Sequence, residues 1–245
     1  MWKPRIGLEA FALSLSIAGG AAAAEPNELR LGTSTQGGGF SLFGGNLAAV
    51  VNATDPSLRV RPTATKGSRE NLGRLRDGDL DVALVEGNAA REAFEATNNE
   101  IRGLAVLWVM YPNPGMFVVR GDAPFWTIQD LLGQPIAFGT RASGLRILAR
   151  DVLDGLGFTP ENDFRPIILE RAAQGPDLVL KGEAAALWGA GIGWPGFVKV
   201  AESEWGARFI APDAKQIARI RAQYPHLRPM TVPAGSYPGQ AAPID

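Results

Sequence analysis

The order of its apolar patterns constrains this chain most. From Leu29 onward, short strand-like runs alternate with stretches whose apolar residues recur at helical spacing, and glycines mark the joins. Leu29-Arg30-Leu31-Gly32-Thr33 reads as a strand, broken at Gly37-Gly38-Gly39; Leu42, Phe43, Leu47, Val50 and Val51 then carry a helix. Residues 58–65 set Val60, Pro62 and Ala64 on one side, an edge-like strand because proline cannot donate to a ladder. Ser68 is placed to cap a short helix carrying Leu72 and Leu75 that ends at Asp77-Gly78. Asp81 to Val85 reads as a buried strand, Ala89 to Ala96 as a helix and Leu104 to Tyr111 as a further apolar strand. This βαβαβαβ order predicts an α/β fold with a parallel sheet and helices on both faces.

Tyr111-Pro-Asn-Pro-Gly115 interrupts the pattern and reads as a hinge, after which a second α/β unit begins. Strands are expected over 116–120, 135–139, 165–169, 184–188 and 208–210. Thr127 with Asp130 has the spacing of a capping box, and Leu145, Leu148, Ala149, Val152, Leu153 and Leu156 form a helical stripe stopped by Gly157. Further helices are expected over 176–181 and after Pro195.

Composition removes most catalytic chemistry. The 245 residues hold no Cys and one His, which rules out thiol nucleophiles, disulfides, Cys-ligated metals and two-His metal sites. A Ser-His-Asp triad would have to use His226 in Tyr-Pro-His-Leu-Arg-Pro, a poor setting for locking an imidazole. With 24 Lys+Arg against 25 Asp+Glu there is no basic footprint for nucleic acid.

The first two dozen residues have the anatomy of a secretory signal peptide. Lys3 and Arg5 form a positive start, Ile6 to Ile17 is mostly apolar although Glu9 interrupts it, and Ala21 to Ala24 supplies small residues for cleavage. Cleavage after Ala24 and a soluble, exported protein are expected. The apolar run is shorter than the ~20 residues of a membrane-spanning helix.

Three strand-to-helix joins carry small polar residues: Gly32 to Phe40, Gly67 to Asn71, and Gly139 to Gly144. Each alone is an ordinary turn. Together, split over two units, they read as helix N-termini converging on a cleft at the carboxyl ends of the strands, an environment for negative charge. The first lacks the Gly-Lys-Ser/Thr of a phosphate-binding loop. Gly191-Ile-Gly-Trp-Pro-Gly196 matches G-x-G-x-x-G in form, but Pro195 removes an N–H and no ribose-binding strand follows; a glycine-permitted turn exposing Trp194 is expected, not a cofactor. The candidate ligand contacts are Thr33, Ser34, Gly38, Gly39 and Phe40 at the first join, Gly67 and Ser68 at the second, and Thr140, Arg141 and Ser143 at the third. Glu86, Tyr111 and Trp188, near strand ends, complete the set, with Glu86 offering a carboxylate to an ammonium group. No metal, cofactor or catalytic residue is expected.

Taken together, Leu-Gly-Thr-Ser with Gly-Gly-Gly-Phe at 31–40, Thr-Lys-Gly-Ser-Arg-Glu-Asn at 65–71, Leu-Asp-Val-Ala-Leu-Val-Glu-Gly at 80–87, Tyr-Pro-Asn-Pro-Gly-Met-Phe-Val-Val at 111–119, Gly-Thr-Arg-Ala-Ser-Gly-Leu at 139–145, Ala-Leu-Trp-Gly at 186–189 and Pro-Ala-Gly-Ser-Tyr-Pro-Gly at 233–239 resemble the TAXI family of TRAP-transporter solute-binding proteins. The resemblance implies a two-lobed α/β fold of periplasmic-binding-protein type, type II-like, each lobe a mostly parallel sheet. Lobe one would span 25–111 and lobe two 112–212, with 213–245 returning toward lobe one. It implies a periplasmic, monomeric, non-enzymatic protein that closes on a small organic anion or an amino acid of the glutamate or glutamine kind and delivers it to an ion-coupled TRAP permease. Family chains continue for several dozen residues past the Pro-Gly-Gln segment, whereas this one stops at Asp245, so elements covering lobe one are expected to be missing. The alternatives are a ligand-binding input protein for a membrane sensor and, on the same fold, an enzyme.

Overall fold

The computed structural model describes residues 26–96 and 103–245. The leader assigned to residues 1–24 lies outside them. Two sheets organise the described chain. The first, in the order β2-β1-β3, is parallel throughout: β1 (Asn27–Gly32) pairs with β2 (Leu58–Thr63) from Asn27↔Leu58 to Gly32↔Thr63 and with β3 (Val82–Ala83) at Leu31↔Val82 and Gly32↔Ala83. Pro62 indeed sits on an edge strand, where a missing N–H costs least. Helices α1 (Gly39–Thr54), α2 (Ser68–Arg76) and α3 (Gly87–Glu95) connect and flank these strands.

Leu31, Ala48, Val60 and Leu84 form the core of this unit. Polar groups fix its strand ends. The buried Asn71 on α2 donates its amide to the carbonyls of Thr33 (2.9 Å) and Leu84 (2.8 Å), joining the ends of β1 and β3. Arg30 donates through its backbone N–H, Nε and Nη2 to Asp81, and those hydrogen bonds pull the Asp81 carboxyl down to about 2.

The second sheet has the order β6-β5-β7-β4-β8 and is mixed. Its strands are β4 (Gly115–Arg120), β5 (Pro135–Thr140), β6 (Arg165–Leu169), β7 (Ala186–Ala190) and β8 (Ala207–Ile210). β5 runs parallel to β6 and β7, whereas β4 is antiparallel to both β7 and β8, so four of the five strands share one direction and the sheet is mostly parallel, as the resemblance implies, with β4 reversed. The antiparallel strand is the one that enters from the first unit through residues 111–114, with no helix to turn it round.

Helices α4 (Gly144–Gly155), α5 (Pro160–Asp163), α6 (Gln174–Leu180) and α7 (Pro195–Ala201) cover this sheet, and its two faces carry separate apolar cores. The Thr127/Asp130 pair caps as its spacing predicts, although the element it starts is a single 3-10 turn, Gln129–Leu131. After β8, α8 (Ala214–Gln223), which no apolar stripe in the sequence announced, packs on α4; Tyr224 donates to Asp154 at 2.5 Å. The tail beyond it bridges Val232 to Ile244 and buries Tyr237 beside Trp194 and Phe197.

The strand expected over 104–111 does not form. β3 has two paired residues, and no backbone hydrogen bond joins residues 104–110 to it among the described residues. Val106, Leu107, Trp108 and Val109 are left exposed.

Candidate functional site

The ends of both sheets meet around a small cavity. From the first unit it is lined by Ser34, Thr35, Gly38, Gly39, Phe40, Lys66, Gly67, Ser68 and Glu86. Gly139, Thr140, Ser143, Gly144, Leu145 and Trp194 face these from the second unit, with Tyr111 and Asn113 of the connecting segment between them. The cavity holds about 70 Å³, room for roughly five water-sized groups at ~10–15 Å³ each.

Hydrogen bonds close both flanks. On one side Ala172 N–H donates to Thr35 Oγ1 (3.0 Å) and Ala173 N–H to the Gln36 carbonyl (3.1 Å). On the other, Thr140 Oγ1 donates to the Lys66 carbonyl (2.9 Å) and Arg69 N–H to the Ala142 carbonyl (3.1 Å). Glycine makes this approach possible. Gly37, at φ +81°, leaves no space for a side chain, because a Cβ there would lie 2.7 Å from Ala173.

Three helices begin at the cavity. α1 starts after Gly38 and α2 after Gly67, both without a side-chain cap, and α4 starts after Ser143, whose Oγ accepts from Leu145 N–H (3.2 Å). In these first turns Ser34 Oγ accepts from Ser41 N–H (3.1 Å) and the Ala142 carbonyl from Arg69 N–H, while the remaining N–H groups and the positive dipole ends of all three helices favour an anionic group there. Ser68, expected as a cap, is instead the first helical residue; its Oγ accepts from Glu86 N–H (3.0 Å) and so ties α2 to the end of β3.

Glu86 caps α3. Its Oε2 accepts from Asn88 N–H (3.0 Å) and Ala89 N–H (3.2 Å), while Oε1 has no hydrogen-bond partner among the described residues and the side chain lines the cavity. Only 9% of the residue is exposed. Burial pushes its carboxyl up to about 7; the two N–H donors oppose that rise, and the charges of Asp151 and Glu92 add to it. Among the described lining residues Glu86 is the one carboxylate and Lys66 the one cation. Tyr111 packs its ring 5.2 Å from that of Phe43, and burial raises its phenol.

Ten of the residues expected at the site line this cavity: Ser34, Gly38, Gly39, Phe40, Gly67, Ser68, Glu86, Tyr111, Thr140 and Ser143. Three do not. Thr33 turns its hydroxyl to the Thr63 carbonyl (3.0 Å), satisfying the end of β2. Trp188 is fully buried within the second sheet's core and spends its indole N–H on the Leu145 carbonyl (2.9 Å). Arg141 faces a different cleft. Trp194, expected to be exposed, is buried: Gly191 and Gly193 at positive φ turn the chain so that its ring lies over Gly189 and Gly196, where a side chain would collide, and its edge walls the cavity. Asn113, Leu145 and Trp194 are lining residues that no local pattern could assign, because the fold brings them to the cavity from remote elements.

Residues 31–245 match the NMT1-like family. The chain belongs to that family. Solved structures place the fold. It superposes on the alkanesulfonate-binding protein SsuA from Xanthomonas axonopodis pv. citri bound to MOPS with a TM-score of 0.52 at 21% identity, covering 77% of this chain and 62% of that one. An ABC transporter periplasmic binding protein from Brucella ovis with glutathione bound gives 0.51 at 15% identity, with 79% and 65% covered. The GluR0 ligand-binding core in complex with L-glutamate gives 0.50 at 12% identity, with 82% and 94% covered. This NMT1-like chain thus has an α/β fold of the type II periplasmic-binding-protein kind, and it spans less than two thirds of the first two of these proteins.

Proposed function

We propose that this NMT1-like protein is an extracytoplasmic solute-binding protein. It closes two α/β lobes, joined near residues 111–115, over a small carboxylate or amino acid of the glutamate or glutamine kind, for delivery to an ion-coupled TRAP-type permease. The observation that carries this reading is the cavity itself, where three helix N-termini and one inward carboxylate meet between the two sheets. The helix ends suit a carboxylate. Glu86 Oε1 suits an ammonium group and repels a second negative charge. A compact zwitterion satisfies both, and the small cavity favours such a ligand over a nucleotide or a peptide. The described lining carries no histidine and no paired acid beside Glu86 and Lys66, which supports binding without turnover.

Calorimetric titration with glutamate, glutamine and 2-oxoglutarate, paired with small-angle scattering, tests the reading. Saturable binding of an amino acid with a smaller radius of gyration is expected, and 2-oxoglutarate, which lacks the ammonium, should bind more weakly. Tighter binding of the keto acid would remove the zwitterion. Saturable binding with no change in radius would remove the closing motion.

A further inference from the structure

We propose a second binding site, outside the cavity, for a free small oxyanion carrying at least two negative charges, of the phosphate or pyrophosphate class. It is a cleft of about 280 Å³ lined by Arg69, Arg141, Arg146 and Arg150, with Glu161 as its one carboxylate and Phe138, Ile147, Ala149 and Pro160 as apolar floor. Four guanidinium groups around one opening are not a bulk effect, since the whole chain carries a net charge of −1.

Two of the four are committed. Arg150 is held 2.5 Å from Glu92 and 2.6 Å from Asp151, and Arg146 lies 3.2 Å from Glu161. The other two are available. Arg141 has no ion pair or hydrogen bond among the described residues, and Arg69 reaches Glu92, already taken by Arg150, only at 3.8 Å. Arg69 is the second residue of α2 in the first unit, and Arg141 lies in the turn before α4 of the second. Their backbones meet at the Arg69 N–H to Ala142 carbonyl bond of 3.1 Å. Two uncommitted cations therefore stand on either side of the seam between the units.

An arginine pair of this kind favours phosphate-like groups over a spherical halide, because each guanidinium offers parallel N–H donors that match two oxygens. Absence of lysine from the lining points the same way. An oxyanion seated there would also tie the two units together. That consequence for closure rests on the solute-binding reading above; the binding itself does not.

Calorimetry of the full chain with pyrophosphate and inorganic phosphate, against chloride at matched ionic strength, is the test. Saturable binding of pyrophosphate is expected, weakened about tenfold by Arg141→Ala and by Arg69→Ala, as for loss of a charge-assisted hydrogen bond. Arg141→Lys should recover only part of the loss. Arg141 is exposed and unpaired, so its variants should fold, and circular dichroism verifies that they do. Glu86→Gln should leave the titration unchanged; tighter pyrophosphate binding in that variant would place the anion in the cavity and overturn the proposal. Absence of saturable heat, equal heat from chloride, or full affinity in both alanine variants would overturn it as well.

Discussion

Gly144 lies directly against the side chain of Glu86. A Cβ built on Gly144 overlaps the Glu86 Cβ and sits 2.7 Å from Ser68 Oγ. The first helical residue of α4 in one unit thus touches the residue before α3 in the other, and the absent side chain sets how near the units come. Gly144→Ala should hold them apart, because the atom in the way is a Cβ fixed to the backbone and not the movable end of a side chain. Scattering should show a larger radius of gyration that ligand no longer reduces, and affinity should fall at least ~10-fold, the scale of a 1–3 kcal/mol overpacking cost. Unchanged affinity would mean that this contact does not limit closure.

Trp188 belongs to the core of the second sheet and does not line the cavity. Its ring lies 4.8 Å from that of Phe117, and its N–H anchors the first turn of α4 through the Leu145 carbonyl. Trp188→Phe removes this bond between the sheet and α4 and opens a void, at a cost of about 2–4 kcal/mol in urea denaturation. A loss within ~0.5 kcal/mol, the range of surface changes, would contradict this placement.

The alternation of strand and helix patterns was legible because each helix between β1 and β3 carries an apolar face and each join a glycine. The three helix starts were legible for the same reason, and they bring eight expected residues to one cavity, where Glu86 and Tyr111 join them. What escaped depends on distance in space. Nothing near Trp188 says that its N–H finds the Leu145 carbonyl 43 residues away. The direction of Arg141 out of the cavity is fixed by the Ser143 cap and the turn before it, not by its neighbours' identities. Leu104 to Met110 has strand composition, yet β3 offers it too short an edge to pair with, and composition cannot supply a partner. The helix Ala214–Gln223 was missed because Ile220 is its one buried residue, so it shows no apolar stripe.

That unpaired run gives a third prediction. Val109 is 89% exposed and follows Val106, Leu107 and Trp108, also exposed, with Phe94 nearby on the same groove. An extended apolar segment without ladder partners favours self-association. Val109→Lys should change stability by no more than ~0.5 kcal/mol and raise the monomer fraction in sedimentation velocity at high protein concentration. A wild-type protein that stays monomeric throughout that range would show the run to be inert.

Glu86 gives the last. In the unfolded chain its carboxyl titrates near 4.5, and in the folded protein burial holds it at about 7. Between those values the folded state binds the extra proton, so this residue's contribution to stability is fully present below pH 4.5 and is lost as pH rises through 7. The difference corresponds to ~3 kcal/mol at ~1.4 kcal/mol per pH unit. Glu86→Gln keeps an oxygen able to accept from Asn88 and Ala89 N–H but cannot ionise. The variant should therefore unfold at nearly the wild-type urea concentration at pH 5 and at a higher one at pH 8, with a flatter pH profile between. Ligand is left out, so the comparison reports the cost of an unmatched buried charge. If wild type and variant instead run parallel from pH 5 to 8, Glu86 is already ionised at pH 5 and the carboxylate lies in a wetter site than its 9% exposure implies.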